Sequence, residues 1–147
     1  MTIQNNLVSI LTPMYNTGKY VYRLLDSVLS QTYPKIEMIV VDDGSTDNSA
    51  DVVKGYVERF VVKGYTLKYV YQKNAGQSIA VKNGLKMVNG EYLAWPDSDD
   101  FYASDEAIAK MVDVLKKSSQ EFQMVRTQAT MLNEDTLLPI DMKGKLR

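Results

Sequence analysis

Three carboxylates fall within four positions in the segment Trp95-Pro96-Asp97-Ser98-Asp99-Asp100-Phe101. The apolar run Tyr92-Leu93-Ala94-Trp95 leads straight into them, so a buried strand there would hold the acids at its C-terminal end. Asp97 and Asp99 alternate, and in an extended chain alternate side chains point the same way. Two carboxylates on one side suit a hard divalent cation, Mg²⁺ or Mn²⁺. A cation held in this way can in turn hold a diphosphate. The competing reading is a solvated acidic turn ahead of a helix, because Asp and Ser favour turns and N-caps.

Three other polar segments carry residue types suited to a site. Thr12 to Gly18, Asp42 to Asp47 and Gln72 to Ser78 each follow an apolar run. In the last of these, Gly76 allows close backbone approach. A helix start follows it, and the free N–H groups there favour phosphate.

The elements that must place these segments alternate in type. Leu7 to Leu11, Ile36 to Val41, Leu67 to Tyr71 and Tyr92 to Trp95 read as strands, and Gln123 to Met131 as a fifth. Between them lie helical stripes. Val21, Leu24, Leu25, Val28 and Leu29 form the first, ending before Pro34. Ala50, Val53, Val57 and Phe60 form the second, capped by Ser45, Thr46 or Asp47 and closed by Lys63-Gly64. Val81, Leu85 and Val88 mark a third helix from about Ser78. Ile108, Met111, Val112 and Leu115 mark a fourth, capped by Ser104 with Asp105 and Glu106 in its first turn.

This alternation predicts a Rossmann-like, doubly wound α/β domain. Its sheet is mostly parallel, of about five strands, with helices on both faces. Ligands of such sheets bind beyond the C-terminal strand edge, where strand order reverses. All four polar segments lie at that edge.

Composition narrows the chemistry. At 147 residues the chain is long enough for a real core. Its net charge of −1 gives no basic field for nucleic acid. It has no Cys and no His, which removes disulfides, thiolate zinc sites, His-bound metals and Ser-His-Asp catalysis. Acid–base work would fall to carboxylates, Lys or Tyr. The N-terminus lacks the basic residues of a signal peptide, and no run approaches a membrane span. The default location is the cytoplasm.

The motifs Val8-Ser9-Ile10-Leu11-Thr12-Pro13-Met14-Tyr15-Asn16, Gln31-Thr32-Tyr33-Pro34, Val41-Asp42-Asp43-Gly44-Ser45-Thr46-Asp47, Asn74-Ala75-Gly76, Gly90-Glu91-Tyr92-Leu93 and Asp97-Ser98-Asp99-Asp100 resemble, in order and spacing, a family 2 inverting glycosyltransferase of the GT-A fold. The likeness covers about Leu7 to Leu115, the donor-binding half of such an enzyme. It implies a nucleotide-diphospho-sugar donor, a UDP-sugar by preference, and Mn²⁺ or Mg²⁺. Thr12, Pro13 and Tyr15 would line the nucleobase pocket. Asp43 would accept a uracil imino proton, and Asp42 would hold the turn. Asp97 and Asp99 match the DxD motif, Asp99 on the metal and Asp97 on ribose or metal, with Asp100 a supporting partner. Asn16, Asn74, Gly76 and Ser98 would complete the donor contacts.

Two departures accompany the resemblance. Members often place an Arg on the diphosphate where this chain has Val81. Lys82 or Lys73 could supply the charge, but as a point charge and not a fork. The family's general base lies well downstream of the DxD strand, and the sequence ends 48 positions after Asp99. Glu134, Asp135 and Asp141 come too early to match it. The expectation is a donor domain over residues 1–131 and an extension over 132–147 toward an acceptor half. No catalytic base is then expected before Arg147. The acceptor is open, a glycan or lipid-linked glycan included, as is placement at the cytoplasmic face of a membrane through a further region.

A non-catalytic nucleotide-sugar binding module is the alternative. A phospho-acceptor receiver is disfavoured because the fifth predicted strand ends in Met131 without a suitable Lys. An EF-hand fails because Tyr102 and Ile108 stand where the loop needs Gly and Glu.

Overall fold

The apolar runs become four strands: β1 (Gln4–Met14), β2 (Ile36–Asp42), β3 (Thr66–Tyr71) and β4 (Gly90–Ala94). In this computed structural model, which describes residues 2–118 and 124–140, they form one sheet in the order β3-β2-β1-β4. Every pair is parallel. β2 lies inside the sheet and is buried at all its positions, as its unbroken Met38-Ile39-Val40-Val41 run requires. β4 is an edge strand, and the expectation that its apolar run is buried fails for Leu93 and Trp95, which are exposed. The edge position explains this: only the face of Tyr92 and Ala94 is packed against the larger core.

Among the described residues, four helices accompany the sheet: α1 (Val21–Leu29), α2 (Ser49–Lys63), α3 (Gln77–Leu85) and α4 (Ala107–Lys117). Strand side chains alternate between two cores. Val8, Ile10 and Met14 of β1, with Met38 and Val40 of β2, pack against α1, α2, and Ile108 and Val112 of α4. Leu11, Ile39 and Val41 face the other way and meet Ala80 and Val81 of α3. Helices therefore lie on both faces. The first two crossovers use one face, and the third returns across the other to bring β4 beside β1.

α1 buries its predicted stripe except Leu29, which is half-buried. In α2, Val53 and Phe60 are buried but Val57 is on the rim. Gly64 closes α2 in the left-handed region at φ 84°. Two capping expectations change. The N-cap of α2 is Asn48, without a side-chain bond, while Asp47 accepts the N–H of Ser49 at 2.9 Å. Asp105 and Glu106 precede α4 and do not form its first turn, and Ser104 Oγ accepts the Glu106 N–H at 3.2 Å.

α3 packs through Ala80, Val81 and Gly84, and Leu85 is exposed rather than buried. The reason is close approach. A Cβ on Gly84 would strike Leu11 Cδ1, so the helix lies too near β1 for a larger stripe.

Among the described residues, the expected fifth strand is not formed. Residues 124–131 have no regular structure, and Met124 is 83% exposed. Gln123 lies outside the described residues. An extended segment becomes a strand only when its N–H and C=O groups meet a ladder, and β4 pairs with β1 alone. The chain divides into the units Met1–Asp113 and Val114–Arg147. In the second, Leu132 and Pro139 form an isolated antiparallel bridge around a turn held by Asn133 Oδ1. Asp141 and the rest of the expected extension lie outside the described residues. Among the described residues, no helix is long and apolar enough to cross a membrane.

Candidate functional site

Strand order reverses between β1 and β4, so the loops leaving these two strands diverge there. They are stitched together. Thr12, fully buried near the end of β1, donates through Oγ1 to the Pro96 carbonyl at 3.2 Å. Thr17 Oγ1 donates to Ser98 Oγ at 3.0 Å.

The acids themselves do not sit on extended backbone. Asp100 N–H donates to the Asp97 carbonyl at 3.2 Å, closing a turn over 97–100. Alternation along a strand is thus not what aligns them. The turn folds Ser98 inward, to 6% exposure, and leaves Asp97, Asp99 and Asp100 exposed. Although Asp100 is exposed, partial desolvation by the atoms packed around it raises its carboxyl above the usual range, and the charges of Asp99 and then Asp97 raise it further. Such crowding of negative charge is what a cation relieves. Among the described residues, no group of three or more Asp, Glu, His or Cys side chains could hold a metal by itself. Two carboxylates with phosphate and water oxygens still fit a hard divalent ion.

The turn after β2 holds the second pair of acids. Both are buried. Asp42 Oδ1 accepts the Ser45 N–H at 2.8 Å, which makes the expected turn, and Oδ2 accepts the Tyr69 hydroxyl at 2.7 Å. That bond follows burial in pushing the Tyr69 phenol well above its usual range. Asp43 looks toward the loop before α3. Its Oδ1 accepts Ala75 N–H at 2.8 Å and Gln72 Nε2 at 2.7 Å, and its Oδ2 accepts Gly76 N–H at 2.9 Å. Burial alone would raise the Asp43 carboxyl, but the Ala75, Gln72 and Gly76 bonds together outweigh it and hold the group below its usual range. Asn74 Nδ2 closes the set on the Asp43 carbonyl at 3.0 Å.

Gly76 has φ 95° and ψ 155°, a region open essentially to Gly alone. A Cβ there would meet nothing within 4 Å, so backbone conformation and not close approach requires glycine. It aims the start of α3 at the acid loop, where Gln77 Nε2 reaches Asp97 Oδ1 at 3.4 Å.

The β1–α1 and β2–α2 loops clasp one another. Three consecutive N–H groups, of Asn16, Thr17 and Gly18, donate to Ser45 Oγ, Ser49 Oγ and Asp47 Oδ2 at 2.9, 3.0 and 3.0 Å. In return, Asn16 Oδ1 accepts the N–H groups of Thr46 at 2.8 Å and Asp47 at 3.3 Å. Asn16 sits at φ 50°, which Asn tolerates better than most residues. Its side-chain oxygen is thus engaged in holding the loop. Pro13 is buried in the sheet, while Tyr15, between Pro13 and the clasp, is 51% exposed.

Lys82 stands apart from this group. It is exposed in the last turn of α3, about 7.5 Å of helix rise beyond Gln77. Gln31 opens the motif Gln31-Thr32-Tyr33-Pro34, but its positioning role becomes visible only in its contacts. Gln31 is fully buried, donating to the Ser27 and Ser104 carbonyls at 3.0 and 2.8 Å and accepting the Ile108 N–H at 3.0 Å. With Ser27 Oγ, which accepts Tyr102 N–H at 3.1 Å, it fixes the chain leaving the acid loop.

A parallel sheet reversing between β1 and β4, with an acid-bearing turn beside the end of β1, defines a GT-A type nucleotide-diphospho-sugar transferase fold. The chain matches the Glycosyl transferase family 2 model over residues 9–137 and belongs to that family. It is 36% identical over 118 residues to the glycosyltransferase GlyG of Streptococcus pneumoniae, covering 80% of this chain and 36% of GlyG. S. aureus TarS in complex with UDP superposes with a TM-score of 0.67 at 31% identity, over 75% of this chain and 32% of that one. The mannosyltransferase PcManGT from Pyrobaculum calidifontis, in complex with GDP-Man and Mn²⁺, gives 0.68 at 27% identity, over 76% and 32%. The chain thus spans about a third of the length of these relatives.

Proposed function

We propose that this domain binds a nucleotide-diphospho-sugar, with UDP as the nucleotide, together with Mn²⁺ or Mg²⁺, for inverting transfer of the sugar to an acceptor hydroxyl by the whole protein. The observation that carries this reading is the bond from Thr12 to Pro96, which joins the loop bearing Tyr15 to the loop bearing Asp97 and Asp99 at the switch point of the sheet. The relatives bound to UDP and to GDP-Man with Mn²⁺ support it.

Each residue has a role set by its surroundings. Tyr15 offers an exposed ring for the base to stack on, with Thr12 and Pro13 beneath. Asp43 has three protein donors, and a carboxylate has about four lone-pair sites, so one more bond is available for a uracil imino proton. Asn16 and Asn74 hold the two loops that frame the base. Asp99 holds the metal, and Asp97 the metal or ribose, with Ser98 setting their turn. The first N–H groups of α3, at Gln77 and Ser78 after Gly76, face the diphosphate, as helix starts favour. Lys82 contributes at most long-range charge. A bound Mn²⁺ or Mg²⁺ stabilises the leaving diphosphate as a Lewis acid. The base that takes the acceptor proton is assigned to a part of the whole protein outside these residues, in keeping with the share of its relatives that the chain spans.

Calorimetric titration with UDP and Mn²⁺ tests the reading. Asp99→Ala should weaken binding at least about tenfold, a loss of ~1.4 kcal/mol. Equal affinity for Asp99→Ala and the parent would sink it.

A further inference from the structure

We propose that Thr17 is a positioning residue whose hydroxyl sets the pose of the acid turn and couples it to the loop that carries Tyr15. The inference rests on the donor site proposed above, and it assigns a role to a residue that the motifs leave blank. Thr17 Oγ1 donates to Ser98 Oγ at 3.0 Å, and Ser98 stands between Asp97 and Asp99. Ser98 is 6% exposed, so its hydroxyl depends on a protein partner rather than on bulk water.

Thr17 can act as an anchor because its own backbone is pinned on both sides. Its N–H donates to Ser49 Oγ at 3.0 Å, and its carbonyl accepts the N–H groups of Tyr20 and Val21 at 2.8 and 2.9 Å. Its neighbours are held by Ser45 and Asp47. A short polar side chain on fixed backbone has little room to wander. The turn residue that it hydrogen-bonds is the one folded inward, so the exposed acids on either side inherit its position. Residues that orient ligands in this way without touching the metal typically matter by ~10–100-fold in metal affinity.

The test is calorimetry of UDP with Mn²⁺ and with EDTA on the parent, Thr17→Val, Thr17→Ser, Ser98→Ala and Asp99→Ala, with far-UV circular dichroism confirming the fold. Thr17→Val should shrink the metal-dependent gain in UDP affinity about tenfold, Ser98→Ala should do the same, and Thr17→Ser should restore most of it. An unchanged gain in Thr17→Val while Asp99→Ala loses it would overturn the positioning role and leave the donor site standing. So would equal loss in Thr17→Ser and Thr17→Val, since only the hydroxyl is invoked. If Thr17→Val does not fold, Ser98→Ala and Thr17→Ser carry the decision, and a parent-like gain in Ser98→Ala overturns the proposal. A parent that shows no metal-dependent binding overturns the donor site and this inference together.

Discussion

Oδ2 of Asp43 accepts the backbone N–H of Gly76 at 2.9 Å, across 33 positions of sequence. This one carboxylate, at the end of β2, fixes where α3 begins. Asparagine cannot replace it. Its amide nitrogen would face either the Ala75 or the Gly76 N–H, a donor against a donor. Asp43→Asn should cost about 1 kcal/mol, the order of one lost hydrogen bond between a buried side chain and a loop N–H that water can reach in part. Urea unfolding would read it as a lower midpoint, and an unchanged midpoint would contradict the geometry.

The same carboxyl predicts an acid dependence. Its folded pKa lies below the ordinary value despite burial, because the bonds from Ala75, Gln72 and Gly76 favour the charged form. A depressed folded pKa stabilises above the unfolded value of ~3.9 and is lost as pH falls through the folded one. Glu37 and Asp47 are shifted the same way. The parent should therefore lose stability below about pH 4, and Asp43→Asn should lose less over the same window. Urea midpoints measured between pH 6 and pH 2 would check this, and parallel curves for the two proteins would count against it.

Gly76→Ala isolates backbone strain from packing. A Cβ there meets nothing within 4 Å, yet φ is 95°. The expected cost is ~1–3 kcal/mol, with weaker UDP binding because the start of α3 moves. A variant as stable as the parent would show that the loop reaches another conformation without penalty.

Much of this arrangement can be read from the residues. Unbroken apolar runs such as Met38 to Val41 mark strands buried on both faces, and the polar segments after them mark the sheet edge where a site forms. Gly64 closes α2 where the pattern places it. The failures share a cause, which is dependence on partners distant in sequence. Residues 124–131 have strand-like composition but no ladder to join. The packing surface of α3 is Ala80, Val81 and Gly84, because the helix lies against Leu11, and periodicity alone does not show such proximity. Asp97 and Asp99 alternate in sequence, but a turn held by Thr17 sets their geometry, 81 positions from Ser98. Thr17 and Ser49 look like ordinary polar residues until the contacts are seen, and the motif that holds Gln31 does not show what its side chain joins.

Glu37 supplies a control at the far end of the sheet. It is 4% exposed and accepts Ser9 Oγ at 2.6 Å, Asn89 N–H at 2.7 Å, and Asn89 Nδ2 and Lys68 Nζ at 3.1 Å each. It borders an open cavity of about 720 Å³ lined also by Lys35, Lys68 and Asn89. Glu37→Leu should destabilise by ~1–3 kcal/mol, since the buried Ser9 hydroxyl and the half-buried Asn89 donors lose their acceptor. UDP affinity of the folded fraction should not change. Loss of affinity at full folding would mean that this end takes part in binding.

The central claim is that the loops after β1, β2, β3 and β4 make one donor site. The most direct measurement is an amide-resolved nuclear magnetic resonance titration of the chain with UDP and Mg²⁺. Perturbed amides should cluster at Thr12 to Gly18, Asp43 to Asp47, Asn74 to Ser78 and Asp97 to Asp100, and should shrink on adding EDTA. Perturbations confined to Ile3 to Leu7, Lys35 and Lys68, around the opposite cavity, would contradict the account.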